Sequence, residues 1–253
     1  MQTLTLTCRI KIVCCLLLFA LSAMGQKQKA MRITYKVVYT YSSDLAPRHD
    51  VSYLDIQADG VSCFYSHYFV RSQEIQDSIN RRGSVSDDMV SKAIAPYDGG
   101  QPNFVYKHIP AEGKLTFATY HVDWFKYSEP IPALQWKIEG KDSVIAGYHC
   151  QAATTSLRGC RWRAWFTLDI PVSDGPWKLC GLPGMILKAN CPKFMLIEAT
   201  GIKNKNLEPV TFYNYLNYKY APIDRMEYLK KVHKPGIYPT GGSRKTIEID
   251  DTE

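Results

Sequence analysis

The sequence has none of the short motifs on which metal, nucleotide and serine chemistry usually depend. Its six histidines form no His-x-His or His-Glu-x-x-His pattern, and no two cysteines have the Cys-x-x-Cys spacing of a zinc site. A Gly-rich phosphate loop and a Gly-x-Ser-x-Gly elbow are missing as well. We therefore predict no metal site and no cofactor.

Dense clusters of one charge sign are also missing. The 31 lysines and arginines outnumber the 24 acids and give a formal charge of +7, but the excess is spread along the chain. Nucleic-acid-binding domains concentrate Lys and Arg on one surface or along one helix. We therefore expect no nucleic-acid partner.

Only one stretch of the chain is long and apolar. Arg9 and Lys11 precede an apolar run at Ile12–Ala23, and small residues before Gln26 are typical of a signal-peptide cleavage site. The run is shorter than the roughly 20 residues that span a bilayer. We predict a signal peptide at 1–25, a periplasmic or secreted mature chain, and no membrane span after cleavage.

Cysteines are few in the predicted mature chain. Five remain after removal of the signal peptide: Cys63, Cys150, Cys160, Cys180 and Cys191. In an oxidising compartment an odd number leaves at least one thiol unpaired. The sequence does not choose among the pairings, and buried apolar thiols are an equal alternative to disulfides.

Regular alternation of side-chain character indicates strands through most of the chain. Met31–Tyr41 alternates over eleven residues with one aromatic and aliphatic face. Asp59-Gly60 and Arg158-Gly159 suit hairpin turns. Further strands are predicted at 51–58, 61–70, 104–109, 114–122, 134–138, 148–157, 161–168, 185–189 and 193–200.

Helical spacing is confined to two short regions. Between Arg71 and Ala95 we predict two short helices flanking a turn at Gly83, and we predict one more at Asp224–His233. About ten hairpin-linked strands with few helices predict a mainly β fold, either an antiparallel sheet or an incompletely closed β-barrel. Because no linker interrupts the chain, we expect a single domain at 26–238, followed by a loosely ordered polar tail at 239–253.

The segment at 175–187 reads Gly-Pro-Trp-Lys-Leu-Cys-Gly-Leu-Pro-Gly-Met-Ile-Leu and resembles the signature of the GLPGLI family, exported proteins found mostly in Bacteroidetes. The pattern at 148–172 is also similar. Met185 stands where the family has leucine, and Cys160 stands where an arginine often follows the glycine. The family has no assigned activity, so the resemblance implies a fold unit and not a reaction.

The motif itself predicts a tight corner. Gly181 and Gly184 bracket Leu182-Pro183, in which proline sets φ and glycine can reach positive φ. Such a corner would place Trp177 and Leu182 in the core, or it would line the mouth of a ligand site. The candidate ligand-binding or motif residues are Trp177, Cys180, Gly181, Leu182, Pro183, Gly184, Arg161, Arg163 and Trp165.

Aromatic residues on both faces of the same strand favour a binding function. Phe64-Tyr65, Tyr68-Phe69 and Trp165-Phe166 would each occupy two faces, so their strands lie between layers or present aromatics to a ligand. We therefore predict a binding or carrier module of the cell envelope, whose apolar concave face takes a lipid-like or peptide ligand.

Two other classes of function remain open at this point. One is a hydrolase that uses dispersed carboxylates, or Cys180 with His149 or His121 as its base. The other is a structural partner of an outer-membrane complex. The carboxylates considered are Asp55, Asp123, Glu139, Asp142, Asp169 and Glu198, and no catalytic residue is assigned.

Overall fold

The computed structural model describes residues 30–40, 46–83, 86–121, 123–192, 194–214 and 217–232. The predicted signal peptide at 1–25 and the polar tail at 239–253 lie outside these ranges. Among the helices within them, none is long and apolar enough to cross a membrane.

The described chain folds into strands, with three short α-helices and one 3-10 turn at Ala95–Tyr97. The strands are β1 (Met31–Tyr39), β2 (Arg48–Ile56), β3 (Ser62–Ser66), β4 (Asn103–Lys107), β5 (Lys114–His121), β6 (Asp123–Pro130), β7 (Lys137–Ile145), β8 (Tyr148–Leu157), β9 (Cys160–Thr167), β10 (Met185–Cys191), β11 (Met195–Lys203) and β12 (Ala221–Pro222). The helices are α1 (His67–Asn80), α2 (Asp87–Ile94) and α3 (Arg225–Val232).

All of these strands belong to one sheet, in the order β12-β6-β5-β4-β3-β2-β1-β11-β10-β9-β8-β7. Neighbours run antiparallel, except that β12 lies parallel to β6. The sheet is not closed, because β12 and β7 are its two ends. These features confirm the predicted mainly β, antiparallel and incompletely closed architecture.

The sheet is strongly curled. Strands β6 and β7 are consecutive in the chain but lie near opposite ends of the sheet, and only residues 131–136 connect them. Such a link spans at most about 25 Å. The turn between β8 and β9 also reaches β6, where Arg158 Nη2 lies 2.6 Å from Glu129 Oε2. The curl therefore brings the two halves of the sheet face to face around an interior.

The interior is lined by side chains that share one register across the sheet. Paired positions on six successive strands bury apolar groups on the same face, namely Ile33, Leu54, Phe64, Val105, Phe117 and Tyr127. Alternation along each strand explains this, since residues two apart point to the same side. The concave face is therefore the main core.

The outer face of β3 to β6 is buried as well. Phe104 and Trp124 lie there beneath α1 and an irregular segment, in which the Tyr213 ring stacks on Phe104 at 4.6 Å between ring centroids. The backbone N–H of Tyr213 also donates to Tyr106 Oη at 2.8 Å. For β3, the aromatic residues on two faces therefore reflect a strand that lies between two layers.

Two sequence predictions about local structure need correction. The predicted strand 61–70 ends at Ser66, because the Ser66 hydroxyl accepts the Phe69 N–H at 2.9 Å and caps α1 there. The prediction also missed β6 and most of β7. The two helices flanking Gly83 and the helix after Asp224 were predicted correctly.

One disulfide joins neighbouring strands, and the other described cysteines are reduced. Cys160 at the start of β9 is bonded to Cys191 at the end of β10. Cys63, Cys150 and Cys180 are free and buried. Of the alternatives that the sequence left open, the structure therefore selects one pairing and three buried thiols.

Candidate functional site

The motif loop, residues 168–184 between β9 and β10, folds into the interior of the curled sheet. Trp177, Lys178 and Leu179 are fully buried, and Leu182 is 2% exposed. The Trp177 indole packs against Trp162 of β9 at 5.3 Å between ring centroids. The predicted corner therefore does deliver Trp177 and Leu182 into the core.

The two bracketing glycines serve different purposes. Gly181 has φ +89, the left-handed conformation that the motif predicts. Gly184 does not have a positive φ. A glycine is needed there because a larger residue has no room: an added Cβ would lie 2.0 Å from the backbone oxygen of Thr167. The prediction of positive φ is thus correct for Gly181 and wrong for Gly184.

Two ion pairs of opposite polarity fasten the motif loop to the sheet. Lys107 on β4 is paired with Asp174 of the loop, and its ammonium also donates to the Gly175 carbonyl at 2.6 Å. In the reverse sense, Lys178 of the loop donates to Glu129 Oε1 on β6 at 2.7 Å. Lys107 and Glu129 point to the same face because each is in register with Leu115.

Glu129 is the anionic centre of this cluster. Burial would raise the pKa of its carboxyl, but Lys178 and Arg158 together lower that pKa below its ordinary value. Arg225 of α3 also approaches, with Nε 4.0 Å from Oε2. Glu129 therefore joins the motif loop, the β8–β9 turn and α3.

The ammonium of Lys178 is surrounded by aromatic rings. It lies 5.3 Å from the ring centroid of Phe117, 5.2 Å from that of Tyr127 and 5.9 Å from that of Trp177. Buried cation–π contacts contribute roughly 2 kcal/mol when the cation is desolvated. These contacts and the Glu129 pair explain how a lysine can be fully buried in the core.

Cys180 of the motif loop is buried, with 8% of its surface exposed. Burial raises the pKa of its thiol, which opposes thiolate formation. Its backbone carbonyl accepts the Trp136 indole N–H at 2.8 Å. In the part of the chain that the structure describes, no three His, Cys, Asp or Glu side chains are grouped to hold a metal ion.

The other candidate residues lie on the opposite face of the sheet from the motif loop. Trp162, Ala164 and Phe166 of β9 point inward, so the alternate positions Arg161, Arg163 and Trp165 point outward. The predicted set is therefore divided between the two faces.

Most of these outward side chains already have partners on the surface. Arg163 is paired with Glu139 at 3.1 Å, and the Lys188 ammonium lies 5.5 Å from the centroid of the Trp165 ring. Glu198 is paired with Lys188 at 2.7 Å. Two of the carboxylates considered for hydrolysis are thus engaged in separate surface ion pairs.

An open cleft lies where Arg161 emerges from the sheet. It has a volume of about 460 Å³ and is lined by Ala133, Leu134, Gln135, Thr154, Thr155, Ser156 and Arg161. Ligand pockets commonly fall between about 300 and 1,000 Å³. Three hydroxyl groups, an amide and a guanidinium give the cleft hydrogen-bonding capacity, and we call it the rim cleft.

Sequence reasoning missed several of these residues. Lys107 follows Asn103 and Val105 in the alternation of β4, so the sequence pattern could have placed it on the inward face. The pattern could not have shown that Lys107 is buried. Lys178 lies inside the motif but was not among the candidate residues. Nothing local marks Thr154 or Gln135, because the cleft forms from segments that are distant in the chain.

Comparison with known proteins gives a fold and a partial family match. Residues 159–188 match the model of a family described as a protein of unknown function, Porph_ging. Among curated proteins no sequence matches. The matched residues cover β9, the motif loop and the start of β10, so they contain the segment that resembles the GLPGLI signature.

Two solved structures, both of PNGF-II, resemble the fold. One, in space group P21, has a TM-score of 0.50 at 16% sequence identity over 80% of this chain. The other, in space group C2, has a TM-score of 0.51 at 15% identity over 81% of this chain. This chain spans about a third of PNGF-II, 33% in each case. At this level of identity the likeness concerns the fold alone.

Proposed function

We propose that this chain is an exported binding module of the GLPGLI type, periplasmic or secreted, whose ligand occupies the rim cleft. The family match at 159–188 supports the GLPGLI assignment because it includes the motif. Export is proposed from the apolar segment that follows Arg9 and Lys11.

The observation that carries the proposal is a polar cleft beside a concave face that the motif loop already covers. The concave face was the expected ligand surface, but the motif loop packs Trp177, Leu179 and Leu182 against it. The rim cleft instead presents the exposed side chains of Arg161 and Ser156 to solvent, and the buried Thr154 and Thr155 also line it. We therefore place the ligand at the rim and give the motif loop the role of holding the sheet curled.

The proposal is tested by amide NMR spectra of the isotope-labelled chain, titrated with a panel of small carboxylates, neutral sugars and amino acids. A ligand of the rim cleft shifts the amides of 133–135 and 154–156. Arg161→Ala reduces that response, whereas Arg82→Ala, which removes an exposed arginine after α1, preserves it. Equal responses in the two variants, or no response to these compounds and to short peptides alike, would contradict the proposal.

A second measurement distinguishes the cleft from an internal lipid site. The purified chain is extracted with organic solvent, and the extract is examined by mass spectrometry. We expect no stoichiometric lipid. A lipid that copurifies in equal amount with the chain, and whose removal shifts core rather than cleft amides, would overturn the placement at the rim.

A further inference from the structure

The rim cleft exists because one strand pairing stops early. Strand β7 begins at Lys137, which is in register with Thr154 of β8. Continuing that antiparallel register would place Trp136 opposite Thr155 and Gln135 opposite Ser156.

The chain does not continue in that register. Residues 131–136 are irregular, and the Leu134 N–H is donated to the nearby Pro132 carbonyl at 3.0 Å. Within the described ranges, no backbone hydrogen bond joins this segment to 155–157. The side of β8 that faces β7 therefore lacks a strand partner over these three residues, of which Ser156 is exposed, Leu157 half-buried and Thr155 buried. We call this stretch the open rim.

The motif loop explains why the pairing stops. The Trp136 indole donates to the Cys180 carbonyl, and its ring lies 3.6 Å from the position that a Cβ on Gly181 would take. These contacts draw the chain before β7 toward the loop. A glycine at 181 leaves room for the indole, so the motif and the open rim are parts of one arrangement.

The charge at the rim is positive. Arg158 and Arg163 flank it in sequence, and both are paired with glutamates. Arg161 is exposed, and no described carboxylate lies within ion-pair distance of it. A guanidinium with five donors in a planar fork is suited to bidentate binding of a carboxylate.

We infer that the rim cleft binds a short extended peptide, which pairs with the open rim of β8 at 155–157 and places a carboxylate on Arg161. This inference rests on the proposed function, since it names the ligand of the same cleft. An unpaired strand rim offers backbone donors and acceptors in the spacing of an added strand. A sugar acid would pair with the Arg161 guanidinium but has no peptide backbone to form hydrogen bonds with β8.

The test uses a degenerate pool of pentapeptides with free carboxyl termini and without acidic side chains. A second pool is identical but amidated, and a third is amidated and carries one internal acidic residue. Each pool is passed over the immobilised chain, and retained peptides are counted by mass spectrometry. The three pools separate a terminal carboxylate from a side-chain carboxylate as the group recognised.

We expect retention of the free-acid pool or the acidic pool to fall about tenfold to a hundredfold in Arg161→Ala, because a charge-assisted pair is lost. Arg82→Ala is the control of equal charge change and leaves retention unchanged. We expect the parent chain to retain peptide pools methylated at the backbone nitrogens only as weakly as Arg161→Ala retains the unmethylated pools, because methylated peptides cannot pair with β8.

The outcomes separate this inference from the proposed function. If small carboxylates shift the cleft amides in an Arg161-dependent way but no pool is retained, the peptide inference is wrong and the binding module stands. Equal retention of methylated and unmethylated pools would also refute strand pairing. If neither compounds nor peptides respond to Arg161→Ala, both proposals fail.

Discussion

The buried carboxyl of Asp50 gives a stability prediction that depends on pH. Asp50 lies on β2 with 1% of its surface exposed, on the inward face opposite Val37. Ser66 donates to its Oδ1 at 2.9 Å and Ser52 to its Oδ2 at 3.3 Å. Burial raises the pKa of Asp50 from 3.8 to about 7, although these hydrogen bonds oppose the shift.

The sign of the effect follows from comparing folded and unfolded chains. Below pH 3.8 both forms hold the proton, so the group does not penalise folding. As pH rises toward 7, the unfolded chain ionises and the folded chain does not, and the free energy of unfolding falls. One pKa unit corresponds to about 1.36 kcal/mol, so the full shift removes on the order of 4 kcal/mol by pH 8.

Asp50→Asn should abolish this loss, because an amide has a similar shape and cannot ionise. We expect the variant and the parent chain to unfold at similar temperatures near pH 4. Near pH 8 the variant should be more stable by up to about 4 kcal/mol, which corresponds to a Tm increase on the order of 10 °C for a chain of this size. Thermal unfolding followed by circular dichroism at the two pH values measures both quantities.

Asp174→Asn is the matched control, since it also alters a buried aspartate. Its carboxylate neutralises Lys107, so its loss leaves a buried ammonium without a counter-ion and lowers Tm at pH 8. Opposite changes in the two variants at pH 8 are the expected result. If Asp50→Asn gains nothing as pH rises, the assignment of a neutral buried carboxyl is wrong.

Three further substitutions probe the motif loop and its supports. Gly184→Ala should destabilise the fold by about 3 kcal/mol, the upper end of the usual cost of overpacking, because its Cβ meets the Thr167 backbone oxygen; the secreted yield and Tm measure this. Lys107→Met should cost about 3–5 kcal/mol in urea unfolding, and adding Asp174→Asn should recover part of it. Cys160→Ser opens a disulfide with sequence separation 31 and should cost roughly 3–4 kcal/mol.

Two of these substitutions have a control that makes the same change at an exposed position, and Cys160→Ser is compared with the parent chain treated with a reducing agent. Gly140→Ala meets no atom within 4 Å and should leave Tm within about 1 °C of the parent value, as surface changes usually do. Lys92→Met breaks an exposed pair with Asp88 and should cost under about 1 kcal/mol. Equal losses of stability in a test variant and its control would contradict the packing argument. For the disulfide, we expect Cys160→Ser to unfold at the same temperature as the parent chain treated with a reducing agent.

The local pattern was enough to establish most of the β architecture. Alternation over Met31–Tyr41 predicted β1 and its inward face, because side chains two apart share a side of a strand. The same rule, applied to Arg161, Arg163 and Trp165, would have separated them from the motif loop. The strand prediction failed at 67–70, because the Ser66 cap starts a helix there despite the preference of aromatic residues for strands.

Only the tertiary structure decided which charges are buried and where the surface is open. Lys107 resembles a surface lysine in the sequence, and its partner Asp174 lies 67 residues away, so burial of the pair depends on the curl of the whole sheet. The rim cleft depends on a strand pairing that stops early when Trp136 turns toward the motif loop. The sequence by itself determined most of the strands, though not β6 or most of β7, and the corner at Gly181, because those follow from side-chain periodicity and backbone sterics. Buried ion pairs and the cleft arise from contacts between distant segments, and no local pattern specifies those.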